Sequence, residues 1–343
     1  LAAAAAVTDV PLPETVARLD TLVDHSLVIR RPSADAASPR FSMLETIRDF
    51  ARDHLAEVAA EEATVRARHA AFFLALAQQA EPELESTNQV ATLSQLAVDH
   101  PNFRAALDWA IREGQADLAV RLAGALANFW RFHNHEREGL EWLARVCTVE
   151  GKADLAARAW ALMQTSLLAA DIGDLDLARQ TGEESIALAR AVGDQTRLNH
   201  VQFQDGRMLV GHALFHLGRA LLTASDLDDA EPSLREALQI FREAEYPPGI
   251  SAAANVLGGV TELRGDFGTA QALFEEGLAA SRETGNDELL IVNLLCLGGV
   301  VNRCGDADRA LMLVEEALAR ARWIGREVRT GWALSEVGRL TAD

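Results

Sequence analysis

A dipeptide recurs at a fixed interval in the second half of this chain, and the interval limits the fold more than any other feature. Leu217-Gly218, Leu257-Gly258, Leu297-Gly298 and Val337-Gly338 follow one another at 40 residues. Three further registers keep that step: Asp226, Asp266 and Asp306; Ala230, Ala270 and Ala310; Leu238, Leu278 and Leu318. Four registers agreeing on one gapless period define an internal repeat, and a period of this length implies a stack of helical units. Ala, Leu, Glu and Arg dominate the chain while β-branched residues are sparse, which favours helix.

Bulk properties narrow the function. Apolar residues make up 49%, enough for a continuous core. The net charge of −19 argues against wrapping nucleic acid or lying on an anionic membrane, both of which need clustered Lys and Arg. The acidic surface reads as a solvated exterior. Three cysteines, Cys147, Cys296 and Cys304, form no disulfide framework and predict a reducing, cytoplasmic setting. No apolar run approaches the ~18 residues of a membrane span. The opening LAAAAAV lacks the basic region of a signal sequence. The chain starts without Met and stops partway through a repeat, so it is read as part of something longer.

Ahead of the repeats the pattern changes. Val16, Leu19, Leu22 and Val23 fall at helical spacing, SLVIRR (26–31) and RFSML (40–44) read as strands around a polar loop, and Thr46–Glu57 returns to helical spacing. Helix, strand, loop, strand, helix predicts the tail of a winged helix. A helix over 67–80 is ended by Pro82. A short helix over 89–98 is expected next, then a separate one opened by Pro101 and closed by Gly114.

The blocks LDTLVDHSLVIRR and RFSMLETIRDFARDHLAE, then RHAAFFLALAQQAEPEL, DHPNFRAALDWAIREG and LAVRLAGALANFWRFHNHEREGLEWLARV, run in the order of a known family. The chain resembles the winged-helix end and repeat region of bacterial STAND-type regulators. These carry a nucleotide-binding NB-ARC module, a winged helix and tetratricopeptide-like repeats, and include LuxR-type and AfsR-type transcriptional regulators. In related nucleotide switches the second winged-helix strand ends in Met-His-Asp, whose His contacts nucleotide. Here Met43 matches, but Leu44 and Glu45 replace the other two, so no direct nucleotide contact is expected from this segment.

In tetratricopeptide pairs a small residue of helix A meets a small residue of helix B twelve positions on. Gly218–Ala230, Gly258–Ala270 and Gly298–Ala310 fit, and the register runs back to Ser166–Ala178 and Ala127–Gly139. This predicts five helix pairs, at 118–150, 153–194, 207–246, 248–286 and 287–326, with a truncated sixth. The Gly-Asp turns reverse the chain, Gly by adopting positive φ and Asp by capping the next helix. The step from Asp174 to Asp226 is 12 residues too long, which places an insertion near 195–208.

The expected fold is therefore all-α: a right-handed tetratricopeptide-like helical solenoid preceded by a small winged-helix remnant with a β-hairpin. Residues 1–57 end the winged helix, 58–117 form a helical adaptor, and 118–343 form the repeat array. No phosphate-binding GxxxxGK[ST] loop, GxGxxG or GxSxG is present, so no catalytic, cofactor-binding or metal residues are assigned and no enzyme is expected in this segment. His212 and His216, at i and i+4, have a spacing that can bind metal, but packing is the preferred reading. The expected binding face is the concave groove lined by helix A: Arg121, Asn128, Arg131, Trp160, Met163, His212, Phe215, Arg219, Asn255 and Asn302. Gly259 and Gly299 on that face either leave room for a ligand or permit close helix packing, and packing is preferred. Repeated charges on helix B, Glu236, Glu276 and Glu316 with Arg242, Arg282 and Arg322, read as solvated convex surface. The expected function is a sensor or protein-interaction region, with a protein or small-molecule effector in the groove and the signal relayed to an upstream nucleotide-binding domain of the same chain. The alternative is a passive scaffold that self-associates through its exposed C-terminal repeat.

Overall fold

The structure, a computed structural model, describes residues 1–31, 39–85, 88–193, 206–325 and 327–341. The chain divides into two compact units, Leu1–Asp154 and Leu155–Asp343.

The first unit begins with α1 (Ala2–Thr8) and α2 (Leu12–Asp24), followed by β1 (Ile29–Arg31), β2 (Arg40–Ser42) and α3 (Glu45–Ala56). The strands pair antiparallel with Ile29 opposite Ser42 and Arg31 opposite Arg40. This is the expected helix–hairpin–helix. The hairpin is tied down by Arg40, whose guanidinium donates to both carboxylate oxygens of Asp99 at 2.6 and 2.7 Å. Next come α4 (Ala59–Ala80), a short 3₁₀ turn at Pro82–Glu85, α5 (Gln89–Arg112), α6 (Ala116–Phe132) and α7 (Glu136–Cys147). Phe73 of α4 meets Phe103 of α5 edge to face, with ring centroids 5.5 Å apart.

Two helices were expected between 89 and 112, and there is one. Pro101 sits inside α5. An internal proline removes one backbone hydrogen bond and clashes with the preceding turn, which costs ~3 kcal/mol. Packing on both sides of it holds the helix together: Leu96 and Asp99 are buried before the proline, and Phe103, Ala106 and Leu107 after it.

The second unit is a stack of helix pairs. Helices α8 (Leu155–Asp171), α10 (Gly206–Thr223), α12 (Pro247–Leu263) and α14 (Asp287–Arg303) occupy the A position. Helices α9 (Leu175–Val192), α11 (Leu227–Glu243), α13 (Phe267–Thr284) and α15 (Ala307–Trp323) are their B partners, and α16 (Glu327–Thr341) opens a further repeat. The expected insertion falls mostly on 194–205, outside the described residues.

The turns work as the sequence predicts, with one exception. Gly173, Gly265 and Gly305 have positive φ, and so does Ser225, a side-chain-bearing residue at the same place. The following Asp accepts a hydrogen bond from the backbone N–H three residues on, at Asp174, Asp226, Asp266 and Asp306.

The small-residue register is a set of close approaches. A Cβ on Gly218 would stand 2.6 Å from Leu234, on Gly258 2.7 Å from Phe274, and on Gly298 2.7 Å from Val314. In the irregular second repeat Ser166 takes this position, and its hydroxyl donates to the Ala178 carbonyl at 2.7 Å. Helices A of successive repeats also touch one another directly (α8 with α10, α10 with α12, α12 with α14, α14 with α16), which makes the A layer the inner one.

Candidate functional site

The inner face of α12 and α14 carries two pairs of adjacent glycines, Gly258-Gly259 and Gly298-Gly299. Adjacent glycines there behave in opposite ways. Gly258 and Gly298 are filled against helix B, whereas a Cβ on Gly259 or Gly299 would meet nothing within 4 Å. Close helix packing, the reading preferred from sequence, therefore does not account for the second glycine of each pair. Their helical φ gives no backbone reason for glycine either, and glycine inside a helix costs ~1 kcal/mol relative to alanine. The absent side chains leave a bare strip two repeats wide.

Polar groups frame the strip. One turn before Gly259, Asn255 donates to Asn293 Oδ1 at 3.2 Å. Asn293 is fully buried and donates in turn to Ser251 Oγ at 3.0 Å and the Leu289 carbonyl at 2.9 Å. Beyond the glycines, Glu262 pairs with Arg303 at 2.9 Å. Burial pushes the Glu262 carboxyl above its usual range, partly offset by Arg303. Burial likewise raises the Cys296 thiol to about 11. Asn302 is half-buried on the same helix face as Gly299.

The remaining groove residues are not all on this face. Trp160 and Met163 are buried in the packed core with Ile186 and Leu209, at 4% and 1% exposure. His212 is half-buried on α10, its ring 5.1 Å from Phe241 of α11 and 5.7 Å from Tyr246 at the start of α12. Burial lowers its pKa to about 4. Phe215 and Arg219 are half-buried on α10. Arg121, Asn128 and Arg131 belong to the first unit. There Arg121 pairs with Asp117 at 3.5 Å, Asn128 is buried, and Arg131 lies over the Phe132 ring at 5.3 Å.

Sequence reasoning passed over Asn293, Ser251 and Arg303. A signal existed for Asn293: it occupies a helix-A register whose equivalents are Ala253 and Ala213, both buried. An amide at an apolar register needs partners, and it finds them across the repeat boundary. The repeated charges of helix B are exposed apart from the half-buried Glu276, and they are also joined, Arg242 to Glu276 at 2.6 Å and Arg282 to Glu316 at 3.2 Å. His212 and His216 have ring centroids 6.5 Å apart. Among the described residues no group of three His, Cys, Asp or Glu is placed to hold a metal, and no helix is long and apolar enough to cross a membrane.

Comparison with known proteins agrees with this architecture. Residues 206–283 match the tetratricopeptide repeat model, and residues 1–56 match a winged helix-turn-helix domain. No curated protein matches the chain by sequence. Among solved structures, a Signal Transduction ATPase with Numerous Domains (STAND) protein with a tetratricopeptide repeat sensor, from Pyrococcus horikoshii, is similar over 98% of this chain, at 13% identity and a TM-score of 0.55. The chain spans 50% of that protein's length. The apo form of RapI is similar over 65% of this chain and 78% of its own, at 10% identity and a TM-score of 0.55. The Rap conjugation gene regulator of plasmid pLS20, solved in complex with the Phr* peptide, is similar over 79% of this chain and 80% of its own, at 10% identity and a TM-score of 0.53. At such identities the likeness is one of fold.

Proposed function

We propose that this chain is the sensor and protein-interaction region of a cytoplasmic STAND-type signal-transduction ATPase or transcriptional regulator of the LuxR or AfsR kind. A peptide, protein segment or small-molecule effector seats on the inner face of the repeats, and the winged-helix segment relays its binding to an upstream NB-ARC nucleotide switch. The observation that carries this reading is the bare strip at Gly259 and Gly299, which helix packing does not require and which Asn255, Glu262, Arg303 and Asn302 frame with polar groups. The tetratricopeptide match and the likeness to a STAND protein with such a sensor support it. Adenine-nucleotide chemistry has no residues in this chain assigned to it.

A thermal-shift screen of the full chain against peptide and metabolite collections tests the proposal. A ligand that binds the folded state raises the melting temperature with concentration, by ~2.7 kcal/mol of added stability at a hundred times its Kd. A screen that finds no stabilising ligand in either class contradicts the sensing role and leaves the passive scaffold.

A further inference from the structure

One stretch of α5 holds two neighbours at once, and Pro101 stands in the middle of it. Asp99 takes both donors of Arg40 and so fixes the β1–β2 hairpin. His100 and Arg104 reach α7 instead. Arg104 donates from Nε and Nη2 to the two carboxylate oxygens of Glu138, both at 2.6 Å, and His100 Nε2 lies 3.1 Å from Oε1. Trp142, one turn further along α7, donates to the same oxygen at 3.3 Å. Proline gives this turn no N–H, so α5 is locally weak where these contacts converge and is held there from outside.

Three imidazoles gather at this joint, all within the first unit. His133 caps the end of α6 and His135 the start of α7, and their rings stack with centroids 5.1 Å apart. The His135 ring is 5.3 Å from that of His100. Phe129 of α6 stands 5.2 Å from His100 and 5.4 Å from His133. The charged and titratable groups facing His100 are Arg104 on its own helix and Glu138 and His135 from α7. From α4, His69 is hydrogen-bonded to the nearby Asn102 of α5. Among the described residues, Glu138 is the one carboxylate paired with any of the three imidazoles.

A carboxylate only accepts, so neutral His100 carries its proton on Nε2 and takes the next one at Nδ1. That second proton puts a cation beside Arg104 in a side chain only 14% exposed. A proton on His135 places positive charge at the N-terminus of α7, where the helix dipole opposes it. Burial lowers the His100 pKa, and Glu138 offsets part of that shift. Glu138 itself, held by Arg104, is lowered to about 2 and stays ionised in mild acid. Between neutral and mildly acid pH it is imidazole that changes charge.

We propose that the Pro101 turn is an acid-sensitive joint: protonation of His100, His133 and His135 frees the N-terminal end of α7 from α5, while the Arg40–Asp99 pair keeps the hairpin on α5. Mild acid thereby uncouples the α6–α7 pair from the winged-helix segment. The folded pKa of His100 lies below the unfolded value of 6.5, so its proton favours the open form. Docking therefore weakens as pH falls below about 6.5, by at most ~tenfold per pH unit for each such proton.

Hydrogen exchange of the full chain at pH 7.5 and 5.5 tests this, read as protection factors so that the intrinsic pH dependence of exchange drops out. Protection in the first two turns of α7 is expected to fall at least threefold at pH 5.5, with a smaller change in α13, which carries no histidine. The triple variant His100→Gln/His133→Gln/His135→Gln removes the fall, and His69→Gln does not. Should the triple variant melt lower than the parent at pH 7.5, His100→Gln alone is read in the same way, since its amide can still donate to Glu138. Protection in α7 that is indifferent to pH overturns the proposal, as does a fall that survives loss of the imidazoles or that His69→Gln abolishes. An equal fall in α13 that the triple variant also removes overturns it too, because the histidines then act on global stability. None of these outcomes bears on the inner face of α12 and α14.

Discussion

Neighbouring residues in this array carry opposite constraints, and single substitutions separate them. Gly258→Leu drives a side chain into the Phe274 ring, where even a Cβ would stand 2.7 Å away. Overpacking of this kind costs ~1–3 kcal/mol. Gly259→Leu, one residue on, meets open space and gains helix propensity of ~1 kcal/mol at most. Urea unfolding of the two variants is expected to move the midpoint down for the first and leave it level or raised for the second. His212 gives a pH signature. Its folded pKa lies near 4 because burial disfavours the charged ring, below the unfolded value of 6.5. Between those values the unfolded chain binds the proton and the folded one does not, so stability falls as pH drops from about 6.5 towards 4. The slope is at most ~1.4 kcal/mol per pH unit from this group. Replacing the imidazole by a non-titrating ring, His212→Phe, should flatten that part of the stability–pH curve, and unfolding series at pH 5 and pH 7.5 measure the difference.

At the scale of elements, the hairpin and α5 depend on one ion pair. Asp99 has only 11% of its side chain exposed and takes both donors of Arg40. Asp99→Ala leaves that guanidinium half-buried without its carboxylate, at a cost of ~1–3 kcal/mol. Hydrogen exchange should then rise first at the β1–β2 pairing, where a two-strand sheet has little else to hold it. The hairpin itself was legible in the sequence, because SLVIRR and RFSML are short strand-like runs on either side of a polar loop. The helix pairs were legible for a stronger reason: close approach of A and B demands a small residue once per repeat, and Gly218, Gly258 and Gly298 meet that demand in step. The single helix α5 was not legible. Pro101 states a local preference to break, and only the burial of Leu96, Asp99 and Phe103 on its two sides overrides it. The same limit explains Trp160 and Met163. A position rule assigns them to an inner face, but the second repeat departs from the 40-residue step, and both side chains are packed away in the core.

Over the whole molecule, the repeats α10–α11 and α12–α13 each add a helix pair, an Asp cap, a closed glycine and an Arg–Glu link to the next helix B. The links are solvated and worth ~0–1 kcal/mol each, so the array is held by its apolar layers and the links serve register more than stability. One departure from this economy stands out: the bare strip at Gly259 and Gly299. It carries the central claim. It is tested most directly by titrating a ligand from the thermal-shift screen into the chain and into the double variant Gly259→Leu/Gly299→Leu by calorimetry. The account predicts that the double variant melts no lower than the parent and binds the ligand at least tenfold more weakly. Unchanged affinity in a folded double variant would contradict it, and would move the binding site off the inner face of α12 and α14.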